Sequence, residues 1–214
     1  MFHVKHEELF RREFGELLSR ETIGRLGRHA ELLEQWNRVV RLVGEDSPDV
    51  WVRRHYAESV AARAFWKPSK TGGDGPSLLD IGSSAGFPGL VLAALQPERR
   101  VVLVEARERK AAFLAEAVRE LDLPRVRVVR ERVGPESAGR LAGAVEFVTL
   151  RGVRLPKVTL ARLIEALPGG GRLMVWAGRE LASGLAAMCS VEEEVNLPDS
   201  RHRRLLLLRP IRRG

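Results

Sequence analysis

An apolar stretch, Leu78-Leu79-Asp80-Ile81, gives way to Gly82-Ser83-Ser84-Ala85-Gly86-Phe87-Pro88-Gly89. Small residues in a row let a main chain come close to a ligand, and the N–H groups at the start of a following helix favour a carboxylate or phosphate. Roughly 20 residues past the turn, the run Val101-Val102-Leu103-Val104 closes on Glu105, where an acid at a strand end can accept hydrogen bonds from both hydroxyls of a ribose. Glycine turn and strand-end acid together suit a nucleoside ligand; a tight strand-to-helix turn with a solvated glutamate is the plainer account of the same residues. Two other phosphate-binding frames fail. A dinucleotide fingerprint needs glycine two positions after the first, where Ser84 stands, and a P-loop needs Gly-Lys-Ser/Thr where the chain has Gly89-Leu90-Val91.

The elements that must position this turn follow from periodicity. From Glu7 to about Lys67 apolar residues recur at three- and four-residue spacing, as Leu9, Phe10, Phe14, Leu17 and Leu18, then Leu26, Leu32, Leu33, Trp36, Val39, Val40, Leu42 and Val43. Three helices are expected, the second capped by Ser19 or Thr22 and the third opened by Asp46-Ser47 with Pro48 at its first position. The Gly- and Pro-rich run from Pro68 to Pro76 reads as a flexible joint between an N-terminal helical region, 1–70, and a second domain, 71–214. Beyond it the β-type runs Ser77–Ile81, Arg100–Val104, Val126–Val129 and Val145–Thr149 alternate with helical stretches around Leu90–Leu95, Lys110–Leu121 and Thr159–Leu167. Strand, helix, strand in repetition builds a parallel sheet with right-handed crossovers. The end of the chain differs: Arg172–Trp176 and a helix precede Val191–Leu197 and Arg204–Arg209, and the link Pro198–Arg203 suits a hairpin. The expected fold is α/β, a Rossmann-like, seven-stranded, mostly parallel sheet with a C-terminal antiparallel hairpin and an N-terminal helical extension.

The 36 Lys and Arg against 28 Asp and Glu leave a net charge of +8, which draws polyanions and makes nucleic acid a candidate partner alongside a generic basic enzyme. Arginines gather at Arg125, Arg127, Arg130 and Arg132, at Arg151 and Arg154 with Lys157, and at Arg201, Arg203, Arg204, Arg209, Arg212 and Arg213 around His202. Arg53, Arg54, His55, Arg201, Arg203 and Arg204 are the candidate RNA contacts, with packing an equal account of His55. The tryptophans Trp36, Trp51 and Trp66 sit at helical positions among apolar neighbours and read as core. Cys189 is the only cysteine, so no internal disulfide or cysteine-rich zinc site is possible and a small buried hydrophobe is its plain reading. An acidic start without a signal core, and no run of roughly 20 apolar residues, point to a cytoplasmic protein with no membrane and no metal partner; a monomer is expected.

The chain resembles the bacterial 16S rRNA guanine-N7 methyltransferases, the glucose-inhibited division protein B family. The resemblance rests on Trp36-Asn37-Arg38-Val39-Val40, Trp51-Val52-Arg53-Arg54-His55-Tyr56-Ala57-Glu58-Ser59, Leu79 through Gly89, and Val148-Thr149-Leu150-Arg151-Gly152. Parallel strands ending in an antiparallel hairpin are the pattern of class I S-adenosylmethionine-dependent methyltransferases. The resemblance implies that S-adenosyl-L-methionine is the cofactor, held by Gly82, Ser84, Gly86 and Phe87, by Glu105, Ala106 and Arg107 at the ribose, and by Val133 and Gly134 at the adenine. It places Arg151 near both the cofactor and the acceptor base, as the residue that orients the acceptor. The partner implied is 16S rRNA or the 30S subunit. The family usually has glycine at Ser84 and Ser-Arg-Ala where this chain has Leu150-Arg151-Gly152.

The chemistry would ask little of the side chains. Guanine N7 already presents a lone pair on the major-groove edge, so no proton has to leave, no general base is needed, and alignment does most of the work. The alternatives are methylation of another RNA or a small molecule, and a non-catalytic RNA-binding relative.

Overall fold

The computed structural model describes residues 3–44, 47–66, 77–177, 185–198, 200 and 202–212. The expected joint at 68–76, most of the helix expected after Trp176, Asp46 and Arg201 lie outside them.

The N-terminal stripe folds as its spacing predicts. Helices α1 (His3–Phe14) and α2 (Arg20–Asn37) bury Phe10, Phe14, Ile23, Leu26 and Leu33 in one cluster. Of the two candidate caps it is Ser19 that serves, its Oγ accepting from the Thr22 N–H at 3.2 Å, which satisfies one of the helix's free donors. Ser47 stands at the N-cap position of the third helical segment without a side-chain cap bond and Pro48 opens it, but this segment is composite: α3 (Pro48–Trp51), a π-helical turn (Val52–Tyr56), α4 (Ala57–Ala61) and a 3-10 turn (Ala62–Ala64). The Ala57 N–H bonds back to the Val52 carbonyl, and Ser59 Oγ donates to the His55 carbonyl at 2.7 Å. Such an inserted turn re-aims side chains and is frequent at functional sites. Here it carries Arg53, Arg54 and His55.

The sheet contains β1 (Leu78–Ile81), β2 (Val101–Glu105), β3 (Val126–Arg130), β4 (Phe147–Arg151), β5 (Arg172–Ala177), β6 (Cys189–Asn196) and β7 (Arg204–Pro210). Their order is β3-β2-β1-β4-β5-β7-β6; the first five are parallel and β7 runs antiparallel to both neighbours. Helices cover both faces, which is why β1 is buried at all four positions. Successive side chains point to opposite faces: Leu78, Leu103, Met174, Trp176, Leu205 and Leu207 join the core of the N-terminal helices, α5 (Gly89–Leu95) and α6 (Glu108–Glu120). Leu79, Ile81, Val104, Leu173, Val175, Leu206 and Leu208 join the core of α7 (Pro135–Ala142) and α8 (Lys157–Ala166). The fold is thus the expected one, with one addition, α7. Only its Ala138 and Ala142 are fully buried, and a helix of eight residues spans only about two turns, a short window for a periodic signal.

Trp66 fastens the helical region to the sheet layer. Its Nε1 donates to the Leu92 carbonyl at 3.1 Å, and the Arg99 guanidinium lies 3.6 Å over its ring. Trp51 is buried and Trp36 half-buried. No described helix is long and apolar enough to cross a membrane.

Candidate active site

Register brings the candidates to one edge. Ile81 stands level with Val104 and Leu150, and Glu105 with Arg130, so the residues that follow the strands face one crevice at their carboxyl ends. The chain order reverses between β1 and β4, and such a switch point is where open α/β sheets bind ligands.

The turn after β1 needs its glycines. Gly82 and Gly86 have φ of +75° and +87°, a left-handed region costly to residues with a Cβ. Ser84 also sits there, at φ 49°. Local bonds hold it: its N–H donates to Glu105 Oε2 at 3.0 Å, and its Oγ receives Lys110 Nζ at 2.6 Å. Glu105 Oε1 accepts the Arg107 N–H at 2.8 Å. The carboxylate is therefore fixed from two sides, yet each oxygen keeps a lone pair for another donor. Beneath the turn Asp80 is buried, its Oδ1 accepting from Thr149 Oγ1 at 2.6 Å and its Oδ2 from the Gly89 N–H at 3.2 Å. Burial raises the Asp80 pKa above its usual value, and the bonds from Thr149, Ser83 and Gly89 with the charge of Arg151 oppose the rise.

Phe87 joins the turn to an aromatic group. His55 stacks on its ring at 5.2 Å and Tyr56 meets it edge-on at 4.8 Å, while Tyr56 Oη bonds His29 Nδ1 at 2.7 Å. Burial, and then the charges of Arg151, Arg54 and Arg203, lower the His55 pKa to about 4, so the ring is neutral at pH 7. Arg151 Nη2 lies 3.0 Å from His55 Nδ1. An arginine only donates, so Nδ1 is the acceptor and the ring hydrogen is on Nε2. Arg151 also pairs with Glu58 at 2.8 Å, lies 5.7 Å from the Phe87 ring, and has a buried Nε without a partner among the described residues. Burial lowers its pKa, and Glu58 is the main opposing influence.

His29 gives the fold a pH dependence. Burial lowers its pKa from 6.5 to about 4, against the backbone of Ala85. Between those values the unfolded chain binds a proton that the folded one refuses, so stability is full above about pH 6.5 and falls as pH drops toward 4. Going from pH 7 to 5 is expected to remove roughly 2 kcal/mol through His29. Urea unfolding at the two pH values, in the natural protein and in His29→Gln, checks this; an equal loss in both would assign the effect elsewhere.

The remaining candidates divide. Ala106 and Arg107 are exposed just past β2, and Val133 and Gly134 are half-buried before α7. Gly134 lines a cavity of about 580 Å³ with Arg132, Ser137 and Arg140. Arg53 and Arg54 are exposed beside His55. Arg204 is exposed and pairs with Glu194 at 3.0 Å, whereas Arg203 turns inward onto Glu58. Because Arg204 stands opposite Ala177, the β6–β7 turn lies at the same sheet edge as Arg151. Arg130 and Arg132 are exposed there too, but the arginines do not all gather: Arg125 precedes β3 at the other edge, where Arg209 pairs with Glu192 and Arg212 bonds the Leu167 carbonyl. Cys189 is buried opposite Pro210, and burial pushes its thiol up to about 11. Among the described residues no group of three His, Cys, Asp or Glu side chains could hold a metal.

Sequence reasoning assigned no role to Glu58, Asp80, His29 or Lys110. Signals existed for the first two: Asp80 interrupts an apolar strand and Glu58 an apolar helix face, and buried acids are rare unless partnered.

The sheet order, glycine turn and strand-end acid define the class I S-adenosylmethionine-dependent methyltransferase fold. The chain matches a solved SAM-dependent methyltransferase from Aquifex aeolicus with a TM-score of 0.56 and 14% identity, over 82% of this chain and 96% of that one. The family model described as rRNA small subunit methyltransferase G matches residues 22–196, and the chain belongs to that family. Proteins named ribosomal RNA small subunit methyltransferase G are 37% identical in Paramagnetospirillum magneticum, over 86% of this chain and 83% of the relative, and 39% identical in Nitrosomonas europaea, over 51% of this chain. The Nitrosomonas match spans about half of that relative's length, 48%.

Proposed function

We propose that the protein transfers a methyl group from S-adenosylmethionine to N7 of a guanine in 16S rRNA of the small ribosomal subunit, acting as a cytoplasmic monomer. The observation that carries this reading is the meeting of the glycine turn, Glu105 and Arg151 at the β1/β4 switch point in a chain of this family.

The residues present fit the cofactor. Gly82 and Gly86 hold the left-handed conformations that shape the turn, packed against Val153 and Leu90, Ser84 keeps that shape, Glu105 offers two oxygens for a ribose, and Gly134 borders the space beside the adenine position. When bound, S-adenosylmethionine supplies an electrophilic methyl group to a lone pair aligned with it. Guanine presents N7 and O6 side by side. A donor on Arg151 can hold O6 and leave N7 free, and neutral His55 with Phe87 forms a wall that adds no proton chemistry. Arg53, Arg54, Arg201, Arg203 and Arg204 would meet the RNA, and we assign the helical region to 1–70 and the methyltransferase domain to 71–214.

Primer extension after chemical cleavage at N7-methylguanine, on rRNA from a strain lacking the gene, is expected to lose one stop that the gene restores. An unchanged pattern would defeat the proposal.

A further inference from the structure

Among the described residues Glu58 is the acid whose carboxylate hydrogen-bonds Arg151. Its side chain has no solvent exposure. Oε2 accepts from Arg151 Nη2 at 2.8 Å and from Arg203 Nη1 at 3.1 Å, and Oε1 accepts from Arg203 Nη2. A carboxylate this deep is costly unless its partners hold it, and removing one partner leaves a buried charge exposed to no solvent. Position 58 also anchors the fold, but by another atom: Trp176 Nε1 donates to the Glu58 main-chain carbonyl at 3.0 Å. The joint between helix α4 and strand β5 therefore does not need the carboxylate. What the carboxylate does is fix two guanidinium groups, one at the end of β4 and one on the β6–β7 turn, with His55 as the second support of Arg151.

We propose that Glu58 is the positioning residue for Arg151: by holding Nη2 together with His55 it fixes the guanidinium plane over Phe87, so that its remaining donors meet the acceptor base at one angle. Arg203 shares the same carboxylate and ties that angle to the turn that approaches the RNA. The proposal rests on the reading that Arg151 orients the acceptor guanine.

The test is a double-mutant cycle on methyl transfer to 30S subunits with Glu58→Gln, Arg151→Gln and both together, alongside Glu58→Asp. Glu58→Gln is expected to lower kcat about 10-fold or more, to change the Kd for S-adenosylhomocysteine less than about threefold, and to cost nothing further once Arg151 is already replaced. Glu58→Asp, which keeps the charge and shortens the reach, is expected to fall between. In the natural protein the buried Arg151 Nε–H is expected to exchange slowly by NMR, and Glu58→Gln is expected to lose that protection. Multiplicative losses in the double variant, with the natural enzyme active, overturn the proposal alone. Should Glu58→Gln fail to fold, Glu58→Asp takes its place in the cycle with the same two outcomes. A natural enzyme that labels no guanine N7 overturns the reading beneath the proposal, and the proposal with it.

Discussion

Glu105→Gln is expected to weaken binding of S-adenosylhomocysteine about 100-fold, measured by titration calorimetry. The carboxylate is already aimed by the Ser84 and Arg107 N–H groups at 3.0 and 2.8 Å, so its free lone pairs need no reorganisation to take two ribose hydroxyls. Hydrogen bonds to a charged acceptor are worth about 1.5–3 kcal/mol each. Losing the charge weakens both, and about 3 kcal/mol is a factor of about 100. The amide also brings a hydrogen toward one of the two N–H groups, which loosens the turn. The melting temperature serves as the control: Glu105 is buried and accepts two N–H bonds, so a fall worth about 1–3 kcal/mol is expected, and a variant still fully folded at the titration temperature assigns the lost affinity to the site. A Kd within threefold of the natural value would remove Glu105 from the site.

Gly89→Ala is expected to destabilise the protein by about 3 kcal/mol, the upper end for a methyl forced into a packed site. A Cβ there would lie 2.6 Å from both Asp80 Cβ and Leu103 Cδ2, and 2.7 Å from Asp80 Oδ2. Neither strand can retreat, since β1 is hydrogen-bonded on both sides. The bond from Gly89 N–H to Asp80 Oδ2 would stretch, leaving a buried carboxylate short of a donor. Gly139, in the interior of α7 with open space where its Cβ would stand, is the comparison: Gly139→Ala should stabilise by about 0.5–1 kcal/mol through helix propensity and a stiffer unfolded chain. Chemical unfolding of the two variants should move in opposite directions; a neutral Gly89→Ala would show that the turn is looser than its distances imply.

Much of this was readable in the sequence, for physical reasons that differ by element. Buried parallel strands are short apolar runs, so β1 to β5 stood out within a residue or two of their observed ends. The glycine turn and Glu105 stood out because backbone conformation and ligand chemistry restrict residue type there. The π-helical turn at Val52–Tyr56 did not, because one extra residue per turn leaves the apolar spacing almost unchanged. Helix α7 did not, because its eight residues make only about two turns and bury only Ala138 and Ala142. Glu58 is the instructive miss: its partners, Arg151 and Arg203, lie 93 and 145 residues away, and nothing local says that an acid on an apolar face is matched from so far along the chain. Arg203 likewise looked like a surface contact and is half turned inward.

The merging of the N-terminal helices with one face of the sheet bears on how the molecule is made. A ribosome delivers residues from the amino end, so α1 to α4 emerge with Phe10, Tyr56 and Trp66 facing water until α5 and the strands arrive. Strand β1 waits longer still, since its Asp80 finds Thr149 only after 69 more residues have been added. The early third of the chain is thus born with its sticky side uncovered, a stretch of time in which chaperones have something to hold.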